Sequence, residues 1–167
     1  MAGRRDVVEV LLEAHIEARQ MLTLAESLMS ASATSSTRDV AGRVADWLEW
    51  LLPLHTADEE ESLAPRLAGR HPVVDDALAN MKRQHLALQG PTARLKLLCR
   101  QVAEDASRLH ALRFELTRAA ADLRAQLEAH QELEESIVFP ALKRTLYADE
   151  LVDIADEMHA RRASLAA

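Results

Sequence analysis

The chain has 167 residues, of which 49% are hydrophobic but only 3% aromatic, and its formal net charge at pH 7 is −7. This length is sufficient for one domain with a sizeable core, and the abundance of alanine and leucine favours helices over sheets. The acidic balance, with both charge signs interleaved, argues against nucleic-acid binding, which requires a basic face.

Cysteine content and hydropathy limit the chemistry and the compartment. Cys99 is the single cysteine, which excludes an intramolecular disulfide and a thiolate metal cluster. The first residues lack the apolar core of a secretory signal, and no apolar run approaches the ~20 residues that span a bilayer. We therefore expect a soluble cytoplasmic protein with no membrane partner.

Apolar residues recur at helical spacing almost throughout, and no segment alternates with the period of a strand. The pattern predicts long helices over about residues 4–31, 38–68, 72–104 and 107–147, and a shorter amphipathic helix over about 149–165. Thr37 and Ser107 are expected to cap the second and fourth helices, and Gly69 to end the second. Pro53 should kink the second helix, and Pro91, which follows a glycine, should bend or break the third.

Short connections between long helices make them antiparallel neighbours. The sequence therefore predicts an all-α single domain over residues 1–167, with an up-down-up-down four-helix bundle at about 4–147 and a short extra C-terminal helix at about 149–165. The two halves resemble each other, which predicts a pseudo-two-fold axis.

Two segments carry the same motif, a histidine followed by glutamates four and five residues later, with a proline ten residues after the histidine. The first HxxxEE motif comprises His55, Glu59 and Glu60 with Pro65, and the second comprises His130, Glu134 and Glu135 with Pro140. Residues four apart on a helix project from one face. Each motif therefore presents an imidazole and a carboxylate to the same point.

Two further histidines share the level of these motifs. At ~1.5 Å rise per residue, His15 on the first helix and His85 on the third fall at about the height of the two motif histidines. Glu59 and Glu134 should lie one turn below this layer. The other histidines do not share the level, because His71 is in a loop, His110 is near the opposite end and His159 is in the tail.

This conjunction favours a metal site over structural histidines. A lone histidine on an apolar face is usually a hydrogen-bonded core residue, and a single His-x-x-x-Glu pair is common on solvated helices. Burying two carboxylates with no cation, however, costs several kcal/mol each or forces protonation. Imidazole and carboxylate without thiolate suit iron or manganese better than structural zinc. A bundle with purely structural histidines, or one that holds zinc, remains an alternative.

The order of the ligands distinguishes two kinds of di-iron bundle. Ferritin-like proteins use Glu-x-x-His, which does not occur in this chain. The order found here, histidine first, resembles the hemerythrin-like family of HHE cation-binding domains over about residues 5–145. The resemblance implies an oxo- or hydroxo-bridged di-iron centre. It implies terminal ligation by His15, His55, His85 and His130, with Glu59 and Glu134 as bridges.

The chain departs from oxygen-carrying hemerythrins at two positions. Met81 stands one turn before His85, where those proteins have a further histidine. Glu135 stands where they have a bridging aspartate, so either Glu134 or Glu135 could bridge, and symmetry with Glu59 favours Glu134. The missing histidine leaves an open position on each octahedral iron, which argues against pure dioxygen storage.

Two functional hypotheses follow from the resemblance. The first is a non-haem di-iron protein that binds or reacts with dioxygen, hydrogen peroxide or nitric oxide, with peroxidase- or catalase-like turnover as one form of this activity. The second is a sensor of iron, oxygen or redox state whose centre controls the interaction with a partner protein. The sequence alone does not choose between an enzyme, a sensor and a carrier.

Overall fold

The structure is a computed structural model that describes residues 6–165, and helices account for nearly all of them. This part of the chain contains no strand, which confirms the all-α class. The up-down-up-down order and the single domain remain predictions. The predicted start of the first helix at residue 4 lies outside the described residues. Within the described range, no helix is long and apolar enough to cross a membrane.

The α-helices, in chain order, are α1 (Val7–Ser27), α2 (Ser35–Asp46), α3 (Leu52–Ala57), α4 (Ala64–Leu67), α5 (Pro72–Glu104), α6 (Leu109–Leu133), α7 (Phe139–Thr145) and α8 (Ala148–Leu165). Wider π-helical segments join α2 to α3 (Trp47–Leu51), α3 to α4 (Asp58–Leu63) and α6 to α7 (Glu134–Val138). The predicted second helix is therefore α2 to α4, and the predicted fourth is α6 and α7. A short 3₁₀ turn, Ala106–Arg108, precedes α6.

Three prolines account for the π-helical segments. Pro53, Pro65 and Pro140 each occupy the second residue of the α-helix that follows such a segment. A proline inside a helix lacks the N–H donor, and its ring collides with the carbonyl four residues earlier. In each case the residue before the proline donates its N–H five residues back, to Trp47, Glu59 or Glu134. Widening the turn in this way lets the helical backbone continue through the proline.

A fourth proline, Pro91, does not interrupt its helix. It lies inside α5, which runs unbroken for 33 residues, so the predicted break there is wrong. Gly90 precedes it, and a glycine has no Cβ to collide with the proline ring. Leu88 and Leu95 on either side are buried, so packing holds this part of α5 in place.

The helix caps differ from those predicted. Thr34, not Thr37, caps α2: its backbone is extended, and its hydroxyl accepts a hydrogen bond from the Thr37 N–H at 3.3 Å. Asp105, not Ser107, caps the turn before α6, accepting from the Ser107 N–H at 3.0 Å. Each predicted cap lies in a run of residues that are all common at helix caps. The residue that caps is the one whose backbone is extended, and the sequence does not show which one that is. The C-cap of α4 is Ala68 rather than Gly69, which follows it with a left-handed φ of 76°.

The chain divides into two compact units, each with its own core. The first unit comprises Met1–His15, Leu54–His85 and His130–Ala167, and the second comprises Ile16–Pro53 and Leu86–Ala129. The core of the first includes Leu11, Leu63, Met81, Phe139 and Leu142. The core of the second includes Leu22, Leu48, Leu95, Cys99 and Leu123. All six predicted metal ligands belong to the first unit.

Replacing Pro91 with alanine should stabilise the protein, because it restores a backbone hydrogen bond inside α5 and removes the ring clash. We expect the free energy of unfolding to rise by about 1–3 kcal/mol, measured by urea denaturation followed by circular dichroism. Pro72→Ala is the matched control. Pro72 is the first residue of α5, where proline interrupts no helical hydrogen bond, so we expect a change below ~0.5 kcal/mol. A loss of stability in Pro91→Ala would instead mean that Pro91 stabilises α5.

Candidate metal centre

The six predicted ligands come from different elements of the first unit. The histidines are His15 on α1, His55 on α3, His85 on α5 and His130 on α6, and the glutamates are Glu59 and Glu134 in the two π-helical segments that follow the motif histidines. All six are buried, with at most 8% of any residue exposed. The structure therefore brings together every predicted ligand. The other histidines, His71, His110 and His159, are exposed.

The ligands form two groups that share both glutamates. His15 and His55 make up the first histidine pair, and His85 and His130 the second. In each group, one donor atom from each of the two histidines and from each of the two glutamates lies within 4.8 Å of the others. Each of the two groups has a donor set that could hold a metal ion.

Each glutamate reaches one histidine of each pair. Glu59 Oε1 lies 2.7 Å from His55 Nε2, and Glu59 Oε2 lies 3.0 Å from His85 Nε2. Glu134 Oε2 lies 3.1 Å from His15 Nε2 and 3.3 Å from His130 Nε2. Both carboxylates therefore lie between the two histidine pairs.

Several buried polar atoms at this point lack a hydrogen bond to any described residue. They include His55 Nε2, Glu59 Oε1 and Glu134 Oε1. The first two lie 2.7 Å apart without the angles of a hydrogen bond. Buried polar atoms without a partner are costly, and most find one. Nitrogen and oxygen lone pairs that converge in this way fit a pair of cations.

The pKa values of the two buried glutamates are shifted in opposite directions. Burial raises the pKa of Glu134 well above its ordinary value, and the negative charge of Glu59 raises it further. Burial has the same effect on Glu59, but the charge of His55 and the close approach of His130 and His85 outweigh it and hold the pKa of Glu59 well below its ordinary value. Two carboxylates this close ionise together only when positive charge lies among them.

The last glutamate of each motif contacts the outer nitrogen of a histidine. His85 Nδ1 donates a hydrogen bond to Glu60 Oε1 at 2.8 Å, and His15 Nδ1 donates one to Glu135 Oε1 at 2.8 Å. Such bonds fix the tautomer and leave Nε2 free to ligate a metal ion. The geometry thus separates Glu134, which spans both histidine pairs, from Glu135, which supports one histidine.

These carboxylates also affect the charge of His85. Burial lowers the pKa of its imidazole, but hydrogen bonds and attraction from Glu59 and Glu60 outweigh burial and raise that pKa overall.

Two residues near the centre were not identified from the sequence. Gln84 Oε1 accepts a hydrogen bond from His130 Nδ1 at 3.2 Å. Asp58, fully buried beside Glu59, lies 2.9 Å from Arg161 and 2.7 Å from Arg162 of α8. Burial raises the pKa of Asp58, and the two arginines oppose that rise. Their adjacency to ligands was visible in the sequence, but their partners come from other helices.

Comparison with protein families gives a match that is consistent with this geometry. The family described as hemerythrin HHE cation binding domain matches residues 6–109. That range includes His15, the first HxxxEE motif and His85, whereas the second motif lies beyond it. A comparison with curated proteins finds no significant match. Since the family match covers more than half of the sequence, the chain belongs to the hemerythrin HHE cation-binding domain family.

Proposed function

We propose that this chain is a non-haem di-iron protein that binds or reacts with a small oxidant, namely dioxygen, hydrogen peroxide or nitric oxide, in the cytoplasm. The observation that carries the proposal is the pair of buried glutamates that each span both histidine pairs. The proposed ligands are His15, His55, Glu59, His85, His130 and Glu134.

The donor set favours iron over structural zinc. It contains imidazole and carboxylate only, and Cys99, whose pKa is raised by burial to about 12, belongs to the second unit. Closed zinc sites usually have thiolate ligands, whereas imidazole with carboxylate suits a redox-active non-haem iron. Membership of a cation-binding family supports the same choice.

The protein would hold the ions and leave some of their coordination positions free. Each histidine pair with the two shared carboxylates offers four donors, fewer than the six of an octahedral ion. Met81, buried one turn before His85, brings no nitrogen to the site. Bound iron would supply a redox-active Lewis acid with exchangeable positions.

The surroundings restrict which substrate can react. The ring of Phe139 packs 5.2 Å from that of His15, which gives the site an apolar wall. Because every proposed ligand is buried, a large organic substrate has no direct contact with them. A molecule of two to four atoms, such as nitric oxide or hydrogen peroxide, is the size class that suits such a site.

A second candidate function, a sensor, is favoured by the contacts of α8. Asp58, next to the proposed bridge Glu59, is paired with Arg161 and Arg162. In the same π-helical segment, Ser62 donates to Glu157 Oε2 at 2.6 Å. A shift of this segment when iron binds or changes its oxidation state would therefore alter the docking of α8, which a partner protein could recognise.

Removing a proposed ligand should remove metal. His55→Ala and His130→Ala should each lower the iron content from roughly two ions per chain to one or fewer, because each breaks one histidine pair. Elemental analysis of protein purified without chelator measures this. His110→Ala, at an exposed histidine of α6, should keep the wild-type content. Wild-type protein without iron, and with stability unaffected by chelators, would favour structural histidines instead.

Removing a bridge should remove oxidant chemistry. Hydrogen peroxide disproportionation needs no second substrate, so iron-loaded protein can be tested alone. We expect Glu134→Gln to lower the initial rate at least about tenfold, because the amide keeps the shape but not the anionic ligand. Glu132→Gln, at an exposed glutamate two residues away, should retain the rate. Wild-type protein that retains iron but leaves peroxide unchanged would favour the sensor.

Weakening the contacts of Asp58 should uncouple α8 from the centre. In the wild type, we expect iron binding to slow hydrogen exchange of the α8 amides, and in Asp58→Asn we expect this protection to fall several-fold because two charged contacts weaken. Exchange measured by mass spectrometry, with and without iron, gives the comparison. Asp122→Asn, at an exposed aspartate of α6, should behave as the wild type. Identical α8 exchange in both metal states would contradict the sensor.

A further inference from the structure

The four histidines of the centre differ in the contacts of their outer ring nitrogens. Three are hydrogen-bonded through Nδ1: His85 to Glu60 at 2.8 Å, His15 to Glu135 at 2.8 Å and His130 to Gln84 at 3.2 Å. His55 Nδ1 is also buried, but it has no hydrogen-bond partner among the described residues. Both histidines of the second pair therefore have a hydrogen-bond partner at Nδ1, whereas only one histidine of the first pair has one within the described part of the chain.

A single position in the repeat explains this difference. Gln84, which supports His130, is the residue immediately before His85. The corresponding residue before His15 is Ala14, whose methyl group cannot accept a hydrogen bond. Both positions are half-buried. The repeat thus places an acceptor beside the motif histidine in one half and none in the other.

The inner glutamates contact both pairs, and the outer glutamates contact their histidines at equal distances. Glu59 and Glu134 each contact at least one histidine of each pair, so neither glutamate belongs to one pair alone. Glu60 and Glu135 lie at the same distance from their histidines and are similarly exposed. The outer contacts of His55 and His130, in contrast, are unequal.

Resting on the proposed di-iron function, we infer that the centre holds its two ions unequally. The His85/His130 side binds the first ion tightly, and the His15/His55 side binds the second ion more weakly and exchanges it more readily. A hydrogen bond to the outer nitrogen orients a ligating imidazole and raises its basicity, and losing one such bond typically costs 10–100-fold in metal affinity. Gln84 is therefore a positioning residue for the tighter side.

Calorimetric titration of metal-free protein with Co²⁺, which avoids oxidation during the measurement, tests the inference. We expect two binding steps whose dissociation constants differ by at least about tenfold. Gln84→Leu should weaken the tighter step by about 10–100-fold and bring the two steps together. Arg83→Leu, at an exposed neighbour on α5, should leave both steps unchanged.

A gain-of-binding variant keeps the test independent of folding defects. Ala14→Gln supplies the missing acceptor and should strengthen the weaker step by about tenfold or more, which misfolding cannot mimic. His55→Ala should retain the tighter step, whereas His130→Ala should lose it.

The outcomes separate this inference from the proposed function. Two ions bound with indistinguishable constants, or constants unchanged in both Gln84→Leu and Ala14→Gln, would overturn the inequality and leave a dinuclear centre in place. Wild-type protein that binds fewer than two Co²⁺ ions would overturn the dinuclear centre itself.

Discussion

Two buried carboxylates placed between four imidazoles are the constraint on which the rest of the structure depends. Glu59 and Glu134 are fully buried, and each contacts histidines from at least two helices within the first unit. Burial and the charge of Glu59 raise the pKa of Glu134, whereas the neighbouring histidines lower the pKa of Glu59. A helical protein gains nothing from burying such a pair unless the energy returns as cation binding. Because the centre is surrounded by the hydrophobic core, only small molecules can reach it.

The backbone contributes to this arrangement through its prolines. Pro65 and Pro140 each follow a residue whose N–H bonds five residues back, to the carbonyl of Glu59 or Glu134. The same residue therefore supplies the proposed bridging carboxylate and the acceptor of the widened turn. π-helical turns are rare and concentrate at functional sites. Here each one accompanies a proline, whose ring collides with the carbonyl four residues earlier in a narrower turn, and each one carries a glutamate of the centre.

The sequence predicts the parts of this structure that depend on periodicity. Helical spacing identified the all-α class, and the spacing of histidine and glutamate identified six residues that the structure brings together within one unit. What it missed depends on partners distant in sequence or on competition among neighbours. The buried Asp58 pairs with arginines about a hundred residues away, and nothing in the local pattern marks that pairing. Thr34 and Thr37 are equally good capping residues, and only the backbone conformation decides between them. Helix α5 continues through Pro91 because a glycine precedes the proline and packing holds the helix in place. A rule based on helix propensity takes neither factor into account.

The two halves of the repeat have the same inner donors, but the residues that surround these donors differ. A carboxylate that contacts both histidine pairs constrains both halves at once, so a change in one glutamate would disturb the whole centre. Residues one step outside affect a single histidine or a single helix and are free to differ. Where the second motif has Leu133 packed against the core, the first has Asp58 paired with α8. Where α5 offers Gln84 to a histidine, α1 offers Ala14. Both differences fall on the first motif, whose His55 lacks outer support and whose π-helical segment carries α8. The ion that we propose to be held more weakly and the helix that we propose to respond to it therefore meet at the same segment of the chain.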